Sequence, residues 1–267
     1  MPAVRPAAVA GSFYPGDATA LAAEVSSYLA DAARPPAGAR APKAIIAPHA
    51  GYMYSGPIAA SIYARLAPLR GRIRRVVLAG PAHRVHVAGA AVPSALAFAS
   101  PLGEVAIDSA AIEVLRAFPF VEVSDRAHAL EHSLEVHLPF LQSVLGDFAL
   151  VPLVVGGASP EEMAQLLEAL WGGDETLIVV SSDLSHYLPY DSARGRDQAT
   201  ARAIPHLEGH LDPQEACGAA PINGLLRAAR SHGLRAEVVD VRNSGDTAGG
   251  LDRVVGYGAF AFTDGHG

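Results

Sequence analysis

The chain has 267 residues, a formal net charge of −7, eleven histidines and one cysteine. Half of it is apolar and 18% is charged, which supports a large core and excludes wholesale disorder. One cysteine excludes an intrachain disulfide framework and multi-cysteine zinc sites, and the acidic balance offers no basic face for nucleic acid.

Lys43 is the only lysine, so Schiff-base chemistry has one candidate. The opening MPAVRPAAVAGSFYPGD has no continuous apolar stretch of the kind a signal peptide needs. The longest uncharged run, between Arg84 and Glu104, is broken by His86, Pro93, Pro101 and serines, and does not read as a membrane span. A soluble, cytoplasmic protein is expected.

In chain order, the Pro/Ala/Gly stretch 34–42 reads as a loop between a first helix and a first strand. KAIIAP (43–48) is that strand. Ser55 and Pro57 predict a helix start, with Ser55 as N-cap, continuing through Leu66. RVVLAG (75–80) and AGAAVP (88–93) read as strands. Helices are expected over 108–118 and over 131–144, the latter kinked at Pro139. FALVPLVV (148–155) is a strand. Ser159 caps a helix over 160–171. TLIVVSSD (176–183) is a strand, and 192–206 reads as a helix. Asp212-Pro213-Gln214-Glu215 has the cap, proline and acid of a helix start. AEVVDV (236–241) and RVVGYGAFAF (253–262) are the last strands. The alternation predicts one α/β domain over 1–267, with three layers and a mostly parallel central sheet.

Polar residues gather just past the carboxyl ends of these strands. His49 follows the first, His83 comes three residues after the second, Asp183 ends the strand over 176–183 with His186 following, and Asp246 comes five residues after the strand over 236–241. In open α/β sheets ligands bind at that edge. Two imidazoles and a carboxylate on one face of an ion leave open positions, as in non-haem iron(II) oxygenases, and zinc accepts the same donors. His186 would then serve as a proton-transfer group and Asp183 would orient a neighbouring histidine. EHSLEVH (131–137) brings Glu131, His132 and His137 forward as candidate rim residues, against the plainer reading of a solvated helix face. Cys217, in EACGAAP, reads as a small buried residue. GYGAFA (256–261) lies in a strand with no helix after it, which removes it as a dinucleotide motif.

APHAGYMYSG (47–56), GPAHRV (80–85), EHSLEVHLPF (131–140) and SSDLSHY (181–187), with AGSFYP (10–15) and the closing VVGYGAFAF, resemble the Memo family. Bacterial members are called AmmeMemoRadiSam system protein B. The resemblance runs from about Val4 to Phe262. It implies the LigB-like architecture of class III extradiol dioxygenases, with a metal pocket at the sheet edge. By this resemblance His49 and His83 match metal-binding histidines, and Asp183 and His186 match a polar pair in the pocket. Animal relatives carry a cysteine before the last strand as a third metal-site residue. The corresponding RNSGDTAGG here places Asp246 at that position, with Ser244 as the close alternative. Tyr54, in the first motif, joins the candidate rim.

Three functions follow as expectations. The first is a dioxygenase-like redox enzyme using iron, or else copper, on a small-molecule substrate. The second is a non-catalytic metal- or peptide-binding module acting through a protein partner. The third is a zinc-dependent hydrolase.

Overall fold

The computed structural model describes residues 3–33, 38–207 and 210–265. Part of the expected loop over 34–42 lies outside them. The described strands are β1 (Val4–Arg5), β2 (Ala44–Ala47), β3 (Arg75–Pro81), β4 (Ala90–Val92), β5 (Ala97–Ser100), β6 (Gly103–Ala106), β7 (Val121–Val123), β8 (Ala149–Val155), β9 (Thr176–Ser181), β10 (Asp183–Leu188), β11 (Leu234–Asn243) and β12 (Val254–Asp264).

The large sheet runs β10-β12-β2-β9-β3-β8-β4-β7, with β11 also paired to β12. Its centre is parallel, β2 beside β9, β9 beside β3 and β3 beside β8. Its flanks are not. β12 is antiparallel to β2, β10 and β11, and β4 is antiparallel to β8. The sheet is therefore mixed, where a mostly parallel one was expected. A buried Val/Ile run looks the same whichever way its neighbour points, so strand direction was not written locally. A small second sheet has the order β1-β5-β6.

All residues of β2 and β9 are buried, so both faces of the central sheet are covered. Helices 18–31, 52–63 and 138–145 pack together, as do helices 160–169 and 219–231. One continuous apolar core joins them to the strands. No helix among the described residues is long and apolar enough to cross a membrane.

Three expected helix boundaries moved. The helix expected at Ser55 starts at Tyr52 after Gly51, and the Ser55 hydroxyl donates to the Ala50 carbonyl instead of capping. The segment 131–144 splits into His132–Glu135 and Leu138–Leu145, with Pro139 in the first turn of the second helix. There its missing N–H has no partner to lose, so it opens a helix rather than kinking one. No helix begins at Asp212. The Asp212 carboxylate accepts from the Gln214 N–H and Glu215 accepts from the Asp212 N–H, which closes an isolated turn before the helix Ala219–Ser231.

Candidate metal centre

Because β2, β3 and β9 run parallel, their carboxyl ends share one edge, and the residues after them meet there. His49, His83, Asp183 and His186 line a single cleft of about 610 Å³, joined by His132 from the short helix 132–135. One ring nitrogen from each of His49, His83 and His132 lies within 4.8 Å of the other two. The ring centroids of His49 and His83 are 5.1 Å apart, and those of His83 and His132 are 4.7 Å apart.

Hydrogen bonds fix which nitrogen of His49 faces the cleft. The Ser181 hydroxyl donates to the Ser133 carbonyl (2.5 Å), and its oxygen is 2.6 Å from His49 Nδ1. The hydroxyl has one proton and a carbonyl only accepts, so Nδ1 must donate. That leaves the Nε2 lone pair free. Burial, together with the neighbouring imidazoles, holds the His49 pKa well below its usual value, so the ring is neutral.

Glu131 does the same for His83. One carboxylate oxygen is 2.9 Å from His83 Nδ1 and accepts from the Ser133 N–H; the other accepts from the His83 N–H at 2.6 Å. Burial alone would raise the Glu131 pKa, but these bonds outweigh it and hold the carboxyl at about 2. A carboxylate on the rear nitrogen orients the ring and directs its other nitrogen forward. His132 Nδ1 is buried without a hydrogen-bond partner among the described residues, and burial lowers that ring to about 4.

Asp183 sits at the floor. One carboxylate oxygen accepts from the His49 N–H at 2.8 Å. Burial raises its pKa to about 7, against the opposing pull of the His49 and Ala50 N–H groups. Burial also lowers His186. An acid raised toward neutrality and an imidazole lowered by burial thus face one cavity.

Cys217 also reaches the site, which its local sequence did not suggest. Its Sγ lies 3.4 Å from His49 Nε2 and accepts from the Asp183 N–H at 3.3 Å. Gly218 makes this approach feasible, since a Cβ there would stand 2.5 Å from the Ser181 carbonyl oxygen. Burial pushes the thiol up to about 12, with the nearby Asp183 carboxylate adding to it. A nitrogen and a thiolate binding one tetrahedral ion at about 2.0 and 2.3 Å stand roughly 3.5 Å apart. The His49–Cys217 spacing is compatible with that and equally with an S–H···N hydrogen bond, while the three imidazoles within 4.8 Å of one another suit a divalent transition metal.

The third ligand expected from sequence is elsewhere. Asp246 accepts from the Tyr190 hydroxyl at 2.6 Å through one oxygen and from the Asn243 N–H at 2.8 Å through the other. It closes a capping box on the turn Ser244–Asp246 and faces a separate cavity beside Arg194. Ser244 does line the cleft, but its oxygen accepts from the Val255 N–H. Tyr54 and His132 both line the cleft. Glu131 is behind His83 rather than on the rim. His137 is not a rim residue either; it is 1% exposed and bonds the Tyr63 hydroxyl within the core.

The structure is that of an α/β protein with a histidine-lined cleft at the carboxyl edge of its parallel strands. The chain belongs to the Memo-like family, whose family model, "Memo-like protein", matches residues 5–261. A MEMO1 family protein of Sulfolobus acidocaldarius is 34% identical, covering 98% of this chain and all of that one. One of Aquifex aeolicus is 36% identical over 95% of this chain and 97% of its own. Among solved structures, an uncharacterized protein of Escherichia coli K12 aligns with a TM-score of 0.49 and 16% identity, covering 82% of this chain and 99% of that one.

Proposed function

We propose that the cleft is the active site of a metal-dependent, dioxygenase-like oxidoreductase acting on a small molecule. The observation that carries the metal is the convergence of His49, His83 and His132, with the rear nitrogens of His49 and His83 tied to Ser181 and Glu131. His49 and His83 are the pair that would hold the ion. His132 flanks that pair as a further donor, and Cys217 reaches His49. When bound, a ferrous ion would supply Lewis-acid polarisation and electron transfer toward dioxygen; the resemblance to extradiol dioxygenases favours iron.

The chain's own groups supply the rest. Asp183 and His186 face the same space and exchange protons with a hydroxyl group of a substrate. The aromatic side chains of Phe13, Tyr54 and Tyr257 give the cleft apolar walls. Three histidine donors also suit zinc with one open position, so hydrolysis is the second reading.

The test is anaerobic loading with iron(II), metal analysis by mass spectrometry, then oxygen uptake with a panel of catechols. Stoichiometric iron that is lost in His49→Ala, with uptake dependent on Asp183 and His186, is the expected result. Retention of zinc alone, with ester or amide hydrolysis, would replace the first reading by the second. Failure to retain any ion would remove both.

A further inference from the structure

The charge inside the cleft runs against that of the chain. The protein carries −7 overall, yet among the described residues Asp183 is the only carboxylate lining the cleft, and one of its oxygens already accepts from the His49 N–H. Two arginines line it instead. Arg84 follows His83 directly, and Arg253 stands just before β12, so they approach from different elements. Neither forms an ion pair with a carboxylate among the described residues.

Arg253 is held in place by a ring rather than by an acid. Its guanidinium carbon lies 5.1 Å from the centroid of Tyr187. A guanidinium stacked on a ring face is oriented while its N–H edge stays free for an anion. Tyr187 itself is 62% exposed and adopts a left-handed φ of 58°. That conformation is costly for a non-glycine residue, and here it presents a large apolar ring to solvent at the cleft. Phe13, Tyr54 and Tyr257 supply further ring surfaces inside.

We infer that the cleft takes a planar-ringed organic acid, with its carboxylate at Arg84 and Arg253 and its ring between the aromatic walls. The inference rests on the cleft being a small-molecule site, as proposed above, and names the class of molecule. Two arginines without acidic partners attract an anion to the cleft and select its orientation. The ring is then directed toward the histidine cluster.

The probe is 4-hydroxybenzoate, compared with its uncharged isostere 4-hydroxybenzamide, titrated calorimetrically into chelator-treated protein. Chelation prevents direct binding of the carboxylate to an ion from being counted. The acid is expected to bind about tenfold or more tighter than the amide, the increment typical of a charge-assisted contact. That ratio is expected to collapse toward unity in the Arg84→Met, Arg253→Met double variant. Both side chains are exposed, and an unchanged melting temperature checks that the variant is folded.

Equal binding of acid and amide, a ratio that survives the double variant, or no binding of either probe overturns the inference. Tighter binding of phenyl phosphate than of the carboxylate overturns the acid class in favour of a phosphate ester. The metal reading fails separately. A His49→Ala protein that discriminates acid from amide supports this inference whether or not an ion binds the native chain.

Discussion

Cys217 Sγ lies 3.4 Å from His49 Nε2, although 168 residues separate the two in the chain. The contact exists because β2 and β9 are parallel neighbours and because Gly218 lets the segment before helix 219–231 press against the end of β9. It faces the one nitrogen of His49 that the Ser181 bond leaves free.

The first prediction concerns that thiol. With its pKa pushed up to about 12, Cys217 is protonated in the metal-free protein and slow to react with alkylating agents. A divalent ion at His49 and His83 would displace the proton. Cobalt(II)-loaded protein is therefore expected to show a thiolate-to-metal charge-transfer band that vanishes in Cys217→Ser. A wild-type spectrum lacking the band, with affinity dependent on His132, would assign the third donor to His132 instead.

The second prediction isolates the groups behind the ligands. Ser181→Ala removes the acceptor of the His49 Nδ1 proton and leaves that ring free to choose its tautomer. Glu131→Gln removes the charge behind His83. Each change is expected to weaken metal binding about 10- to 100-fold, the usual effect of losing an outer-shell partner. Competition titration against a chromophoric chelator measures it. Unchanged affinity in both variants would mean that packing alone orients the rings.

The third prediction addresses the support under the site. Glu135 is fully buried and forms an ion pair with Arg5, itself 3% exposed. It also accepts from the Ala8 and Val9 N–H groups and the Tyr14 hydroxyl. These bonds anchor the segment that carries Phe13 into the cleft. Arg5→Met leaves the carboxylate buried without its counter-charge, which costs about 3–5 kcal/mol. Urea unfolding should show a loss of that order, whereas a loss under about 1 kcal/mol would mean that the backbone N–H groups suffice.

How much of this was legible beforehand differs from residue to residue. His49, His83 and Asp183 were readable because each stands within three residues of the end of an apolar run, and strand ends are marked by composition; His186 followed by proximity to Asp183, although it lies inside β10. Cys217 was not, because nothing local distinguishes it. Its role depends on where the 211–218 turns lie, and the Asp212–Glu215 pattern pointed to a helix that did not form. Asp246 was misplaced for the converse reason. A carboxylate beside a strand end looks available in sequence, and only the structure shows both its oxygens already taken by Tyr190 and Asn243. The antiparallel flanks of the sheet were hidden because strand direction depends on remote pairing.

The last prediction is acid lability. His128 and His137 are buried, at 2% and 1% exposure, and burial lowers them to about 4 and about 3. Above pH 6.5, the ordinary histidine value, both are neutral in the folded and unfolded chain. As pH falls below that value the unfolded chain binds protons that the folded chain does not, so stability falls with pH. For His128 the loss is complete at about pH 4 and for His137 at about pH 3. His128 Nε2 donates to the Ala91 carbonyl, a bond that an amide can replace. The urea midpoint of metal-free His128→Gln is therefore expected to decline less steeply than that of the wild type between pH 6.5 and 4. Parallel slopes for the two proteins would show that His128 takes up its proton without opening the fold.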